Sequence, residues 1–335
     1  MRVLIVSHAE VSDLLPMPAC VELMAGALAS LARGEITLPM RTVLAIPDTV
    51  NAFAAMPAYA PALGAVGAKV ITVVPGNTGT PYDSHQGVVL LFEATNGRLR
   101  AIVDAAAITA IRTAAVSGVA TRLLARADAG DLALLGTGVQ AERHLEAMRV
   151  ARRLRRVRAW SPNAGRRVAF AERMTRRFGL PVEPCDSARD AVEGADIVCT
   201  LTSAREPVLE GDWLEPGAHV NAVGASQPSA RELDSAAVAR ARLFVDRRES
   251  ALRESGDVLT PLHEGRFGVD HIRGEIGELL VGSAAGRTAP EEITLFKSLG
   301  LAVEDLFAAH YVASRAEETG AGTRVELVGE RGADG

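Results

Sequence analysis

Leu132-Ala133-Leu134-Leu135-Gly136-Thr137-Gly138-Val139-Gln140-Ala141 passes from an apolar strand through two glycines into a helix. The spacing is Gly-x-Gly-x-x-Ala. Gly136 permits the tight turn, Gly138 lets a pyrophosphate approach the backbone, and Ala141 keeps helix and strand close. The helix start then offers free N–H groups and a positive dipole end to phosphates. Gly-x-Gly alone is common in loops; at the head of a strand–helix series it points to a dinucleotide, with Thr137, Val139 and Gln140 completing the loop.

The end of the next strand discriminates between cofactors. An acid about 20 residues beyond the glycines would bind a ribose 2′-hydroxyl. The chain has Trp160-Ser161-Pro162-Asn163-Ala164-Gly165-Arg166-Arg167 there, with no acid and two arginines. Ser161, Asn163 and Arg166 therefore suit a 2′-phosphate, and NADP(H) is favoured over NAD(H).

Strand and helix patterns alternate downstream: Val157–Trp160, a helix from 166 to 178, Leu180–Glu183, a helix from 188 to 193, and Asp196–Thr200. Ala218–Val223 and Leu243–Asp246 are later strands. Repeated βα units of this length require a parallel sheet with right-handed crossovers. Upstream, a helix is expected from 18 to 33 and another from 107 to 126. Between them lie strand-like runs separated by Pro and Gly (41–46, 67–74 and 87–92), and Asn96-Gly97 reads as a hairpin turn. A last helix is expected from 299 to 317, which would place Lys297 near its start for packing or phosphate contact. His85 falls in a loop, either for loop architecture or for substrate.

Of 335 residues, 48% are hydrophobic and 23% charged, which excludes a disordered chain. The net charge of −5 and the lack of basic runs mixed with aromatics argue against nucleic acid. Arg152 to Arg158 reads as a solvated helix end. Cys20, Cys185 and Cys199 are too scattered for a disulfide framework or a metal knuckle, so no metal is expected. The N-terminus reads as a strand and not a signal peptide, and no apolar run approaches the ~20 residues of a membrane helix. A cytoplasmic protein with no membrane partner is expected. Only two of the 36 basic residues are lysines, Lys69 and Lys297. An ammonium has a movable pKa that a guanidinium lacks.

Several ordered segments carry a resemblance: Pro39–Val43, Met56–Tyr59, Lys69–Thr72, Ser84–Gly87, Ile111–Ala115, Gly138–Ala141, Pro216–Ser226, Arg231–Asp234, Glu254–Val258 and Phe296–Gly300. The chain resembles the ornithine cyclodeaminase/mu-crystallin family over nearly its whole length, nearest its ketimine reductase and alanine dehydrogenase side. The resemblance implies an α/β fold with a Rossmann domain over 116–301. It also implies a substrate and dimerisation domain from 1–115 and 302–320; the Gly-rich, charged stretch 321–335 reads from its composition as a mobile tail. A homodimer is implied, with a small amino, imino or keto acid as substrate. Arg41, Lys69 and Arg112 occupy the family's carboxylate-binding positions, Lys69 and Arg112 being the catalytic pair. An arginine at such a place can also be a structural ion pair. Arg41 and Lys69, however, lie in apolar segments where an unpaired charge is costly, so a substrate anion would complete each. Thr113, Val223 and Ser298 are implied at the nicotinamide.

The expected reaction is hydride transfer at the C–N bond of such an acid. Cyclodeamination of ornithine or lysine is the alternative, and a non-catalytic, crystallin-like binding protein the second. Cyclodeaminases place an Asp where this chain has Ser226, and an acid before the Met-Pro pair where it has Phe53-Ala54-Ala55. Asp83 or Glu278 could supply a carboxylate from elsewhere.

Overall fold

A computed structural model describes residues 2–77 and 80–327. The chain divides into two compact units, one split (Met1–Arg112 with Leu301–Gly335) and one contiguous (Thr113–Gly300). In chain order, the first segment holds β1 (Arg2–Val6), α1 (His8–Leu14), α2 (Met17–Ala32), β2 (Thr42–Ala45), β3 (Ala52–Ala60), β4 (Ala65–Val73), β5 (His85–Glu93) and β6 (Leu99–Asp104). Helix α3 (Ala105–Leu124) runs on into the contiguous unit. There follow β7 (Asp131–Leu135), α4 (Val139–Ala151), β8 (Arg156–Trp160), α5 (Ala164–Phe178), β9 (Val182–Pro184), α6 (Ala188–Val192), β10 (Ile197–Thr200) and β11 (His219–Ala222). Next come α7 (Ser235–Arg240), β12 (Arg242–Val245), α8 (Arg248–Glu254), α9 (Gly256–His263), β13 (Ile272–Glu275), α10 (Ile276–Leu280) and β14 (Thr294–Lys297). Helix α11 (Ala302–Thr319) and β15 (Thr323–Glu326) belong to the split unit again.

The split unit is a seven-stranded mixed sheet in the order β15-β1-β6-β5-β4-β3-β2. Its buried face, with Met56, Ala58, Ile71, Val89 and Leu91, is covered by α11, which also packs on α2. Phe53, Tyr59 and Val66 alternate onto the opposite face and stay exposed. The hairpin at Asn96-Gly97 forms as expected, with Gly97 at φ +72° and Leu91 opposite Ala101. Strand β3 escapes a sequence reading because it is Ala-rich and contains Pro57. The proline is tolerated because β2 pairs only with Ala52–Ala55, so its missing donor faces no strand.

The contiguous unit is an all-parallel sheet in the order β13-β12-β14-β11-β10-β7-β8-β9. Chain order reverses between β7 and β10, the switch point at which doubly wound sheets bind ligands beyond their strand ends.

Four expectations are corrected. Lys297 ends a central strand and does not begin a helix, because Thr294–Lys297 is a fully buried β-run between β11 and β12. Residues 321–335 do not begin as a mobile tail: Thr323–Glu326 pairs antiparallel with β1 and closes its edge, while residues 328–335 lie outside the described residues. Helix α3 is long and apolar enough for a membrane span, but 83% of that stretch is buried. The arginine cluster is not a solvated helix end. Arg158 is buried in β8 and donates to the Asp190 carbonyl, and Arg156 pairs with Glu183 at 2.8 Å.

Arg152 in that cluster donates to the carbonyls of Thr121, Arg122, Ala125 and Arg126 around the end of α3, where a helix runs short of backbone donors. Arg152→Met should therefore lower unfolding stability by about 1–3 kcal/mol, read as an earlier urea midpoint with an unchanged slope.

Candidate active site

Lys69 stands midway along β4, opposite Met56 of β3 and Val89 of β5, both buried and apolar. Its side chain is 3% exposed, so the ammonium needs a partner within the protein. Helix α11 supplies one: Asp305 Oδ2 lies 2.9 Å from Nζ. Thr109 Oγ1, on α3, accepts a weaker bond at 3.4 Å. Arg112, on the same helix, donates from Nε to Asp305 Oδ1 at 2.9 Å and from Nη1 to Glu304 Oε2 at 2.6 Å. One carboxylate thus bridges the two cations.

Burial pushes the Lys69 ammonium down to about 8; Asp305 opposes the shift, while Arg112 and Arg41 add to it. Burial also works against the Asp305 charge, but Arg112 and Lys69 outweigh it and hold that carboxyl below its ordinary range. Arg41 is half-buried just ahead of β2. His85 is not in a loop but opens β5, with Nδ1 3.0 Å from Ser84 Oγ. Although the residue keeps solvent contact, desolvation of its ring and then the charges of Lys69 and Arg112 lower its pKa.

The expectation that Lys69 awaits a substrate anion to balance its charge is thereby corrected: Asp305 already balances it. Asp305 and Glu304 are the site residues that sequence reasoning missed. Both lie about 190 positions beyond Arg112 in the chain, and no periodicity or motif links such distant partners. The apolar setting of Lys69 was the only signal that a carboxylate had to exist.

In the contiguous unit, parallel strands place the residues following β7, β8, β10, β11 and β14 along one edge. Gly136 has φ +121°, and a Cβ there would stand 2.6 Å from the Leu201 carbonyl oxygen. Only glycine fits. Gly138 is the N-cap of α4, has open space where a side chain would go, and no side chain caps the helix. The first N–H groups of α4 are therefore available to an anion. Thr137 and Ser161 hydroxyls bond at 3.0 Å. Val139 is 61% exposed and Gln140 half-buried. Asn163 Oδ1 caps α5 by accepting from the Arg166 N–H at 2.9 Å. Arg166 is exposed, whereas Arg167 is paired with Asp186. Val223 is half-buried and Ser226 exposed in the loop after β11; Ser298 is buried after β14. Thr113 is buried next to Arg112 on α3.

A second buried charge cluster shapes this edge. Glu232 accepts from the N–H groups of Thr202 and Gly224, both at 2.6 Å, and from the hydroxyls of Thr200 and Thr202. Its own N–H and that of Leu233 bond to Asp257 Oδ1, while Asp257 Oδ2 lies 2.9 Å from Lys297 Nζ. Lys297 is thus an ion-pair partner and not a phosphate contact. Glu278 caps the start of α10 and contacts Arg248, which engages the carboxylate considered as a stand-in for a cyclodeaminase acid.

A family model described as the ornithine cyclodeaminase/mu-crystallin family matches residues 1–320. The ketimine reductase mu-crystallin of Mus musculus is 42% identical over 308 residues, covering 91% of this chain and 93% of that protein. The Delta(1)-pyrroline-2-carboxylate reductase of Thermococcus litoralis, solved with NADH and L-proline, superposes with a TM-score of 0.94 at 37% identity, covering 96% of this chain and all of the other. An archaeal alanine dehydrogenase dimer with bound NAD gives a TM-score of 0.92 at 30% identity, covering 98% of this chain and all of the other.

Glu232→Gln tests the acid that joins the two loops. An amide must turn its NH₂ toward either the Thr202 or the Gly224 donor, leaving that N–H unsatisfied. A loss of about 1–3 kcal/mol is expected in urea unfolding.

Proposed function

The chain belongs to the ornithine cyclodeaminase/mu-crystallin family, and from that premise we propose that it reduces the C=N bond of a small α-imino acid with NAD(P)H. The observation that carries this reading is the buried ammonium of Lys69, held beside Arg112 by a shared carboxylate and brought to a pKa of about 8. A group poised there can give a proton to a nitrogen, or take one back, near physiological pH. Arg112 and Arg41 bind the substrate carboxylate, orienting the imine carbon and stabilising charge that develops beside it. Lys69 Nζ protonates the imine nitrogen as its π electrons withdraw from carbon, and is restored from solvent.

The residues along the edge of the contiguous unit fit a dinucleotide: Gly136 permits the turn, Gly138 leaves room, and α4 presents its uncapped N–H groups. Thr137, Val139, Gln140, Thr113, Val223 and Ser298 complete its binding set. When bound, the nicotinamide supplies or accepts the hydride. Ser226 contacts substrate. Its hydroxyl can bond a distal ammonium but cannot take its proton near neutral pH, which favours a cyclic or short substrate over ornithine. The apolar face around Phe53, Tyr59 and Val66 is where a second copy would pair, consistent with the dimer found for the archaeal alanine dehydrogenase.

Two outcomes are expected. The enzyme should reduce pyrroline-2-carboxylate, and Lys69→Met should lower kcat/KM by at least about 100-fold with cofactor affinity nearly unchanged. Comparable turnover of ornithine to proline and ammonia would replace this reading with cyclodeamination. NADPH should bind more tightly than NADH, because the loop after β8 has no free acid and Arg166 is exposed. Rising salt should erode that preference, and Asn163→Asp should reverse it. Equal affinities in titration would refute it.

A further inference from the structure

The mechanism leaves unassigned the acid that Lys69 and Arg112 share. Asp305 lies in the first turn of α11, where the helix dipole favours a carboxylate, and is buried to 1% side-chain exposure. Its two oxygens are divided: Oδ2 faces Lys69 Nζ and Oδ1 faces Arg112 Nε, each at 2.9 Å. Glu304, one residue earlier, meets the Arg112 guanidinium through Nη1 at 2.6 Å. Asp305 is therefore the sole carboxylate found in contact with Lys69 among the described residues. The other groups whose charge bears on the ammonium are Arg112 from α3, Arg41 ahead of β2, and His85 on β5. All are basic.

We propose that Asp305 is the positioning residue of the reduction: it holds Lys69 in its charged, proton-donating form and aims it, while fixing Arg112 as the substrate clamp. This deepens the reading above and rests on Lys69 being the proton donor. In reduction, the imine carbon gains the hydride that NAD(P)H supplies, the C=N π pair moves to nitrogen, and nitrogen takes the proton from Nζ. Lys69 is left neutral and Asp305 stays ionised beside it and Arg112. In the reverse direction a neutral Lys69 accepts that proton.

The sign follows from the charges. Lys69 is protonated below about 8, so reduction falls and amine oxidation rises as pH passes that point. Asp305 favours the protonated form, so Asp305→Asn should move both limbs to lower pH together. Loss of packing alone would depress both rates at every pH and shift neither limb.

The composition supplies a direct test. With only two lysines in the chain, labelling lysine with 13C at Cε gives two side-chain signals, distinguished with Lys69→Met. In the wild-type protein the Lys69 signal should titrate near 8, with little change up to 1 M salt because the pair is buried. In Asp305→Asn the midpoint should fall by at least about one pH unit, and Asp305→Glu should recover most of the fall. A wild-type midpoint in the ordinary lysine range overturns the proposal even if the Asn variant does not fold, as does an unchanged midpoint in a folded Asn variant. If the midpoint moves but the rate limbs do not follow, Asp305 governs Lys69 as proposed and it is the role of Lys69 as proton donor that falls.

Discussion

A lysine ammonium removed from water is costly to fold unless a carboxylate meets it in good geometry, and Lys69 meets one only because residues 301–327 return to the N-terminal half. That requirement organises the split unit. The bridge from β4 and α3 to Asp305 fixes where α11 lies, and α11 in turn covers the sheet face that Met56, Ile71 and Val89 present. The burial that makes the Asp305 ion pair necessary, aided by Arg112 and Arg41, also brings the Lys69 pKa within reach of neutral pH, while the pair itself lets the cation survive at 3% exposure. Structural balance and chemical readiness are here one arrangement.

The contiguous unit solves a related problem with backbone donors. Parallel strands end in loops whose N–H groups have no ladder partner, and such groups are costly to bury. Three acids each gather two of them. Glu232 takes Thr202 and Gly224, Asp257 takes Glu232 and Leu233, and Asp246 takes Leu299 and Gly300. Lys297 beneath Asp257 offsets part of the accumulated negative charge. Along this edge carboxylates, and not further strands, tie the loops together.

How far the sequence disclosed this depends on how local each constraint is. Gly136, Gly138 and the Asn96-Gly97 turn are short-range demands on the backbone, written in adjacent residues, and they were legible. Strand β3 was not, because alanines give no alternation and Pro57 argues against a strand unless its neighbour is known to stop short. Arg158 read as a surface charge because its acceptor, the Asp190 carbonyl, lies 32 positions away. Family resemblance singled out Lys69, Arg41 and Arg112 as candidates, and the apolar setting of Lys69 declared a need for an anion. The sequence could not say that the anion is Asp305, since ion pairs across 236 residues leave no pattern in a single chain.

The placement of α11 and β15 also bears on the order in which the molecule can assemble on the ribosome. Thr113–Gly300 is one uninterrupted stretch and can complete its sheet while the chain is still emerging. The N-terminal half, although made first, cannot: until the last helix is released, Lys69 and Arg112 have no counterion from it, and the outer edge of β1 has no β15 beside it. Nascent chains are usually read as folding from the N-terminus onward. In this protein the middle has the means to fold first, and the beginning waits for the end.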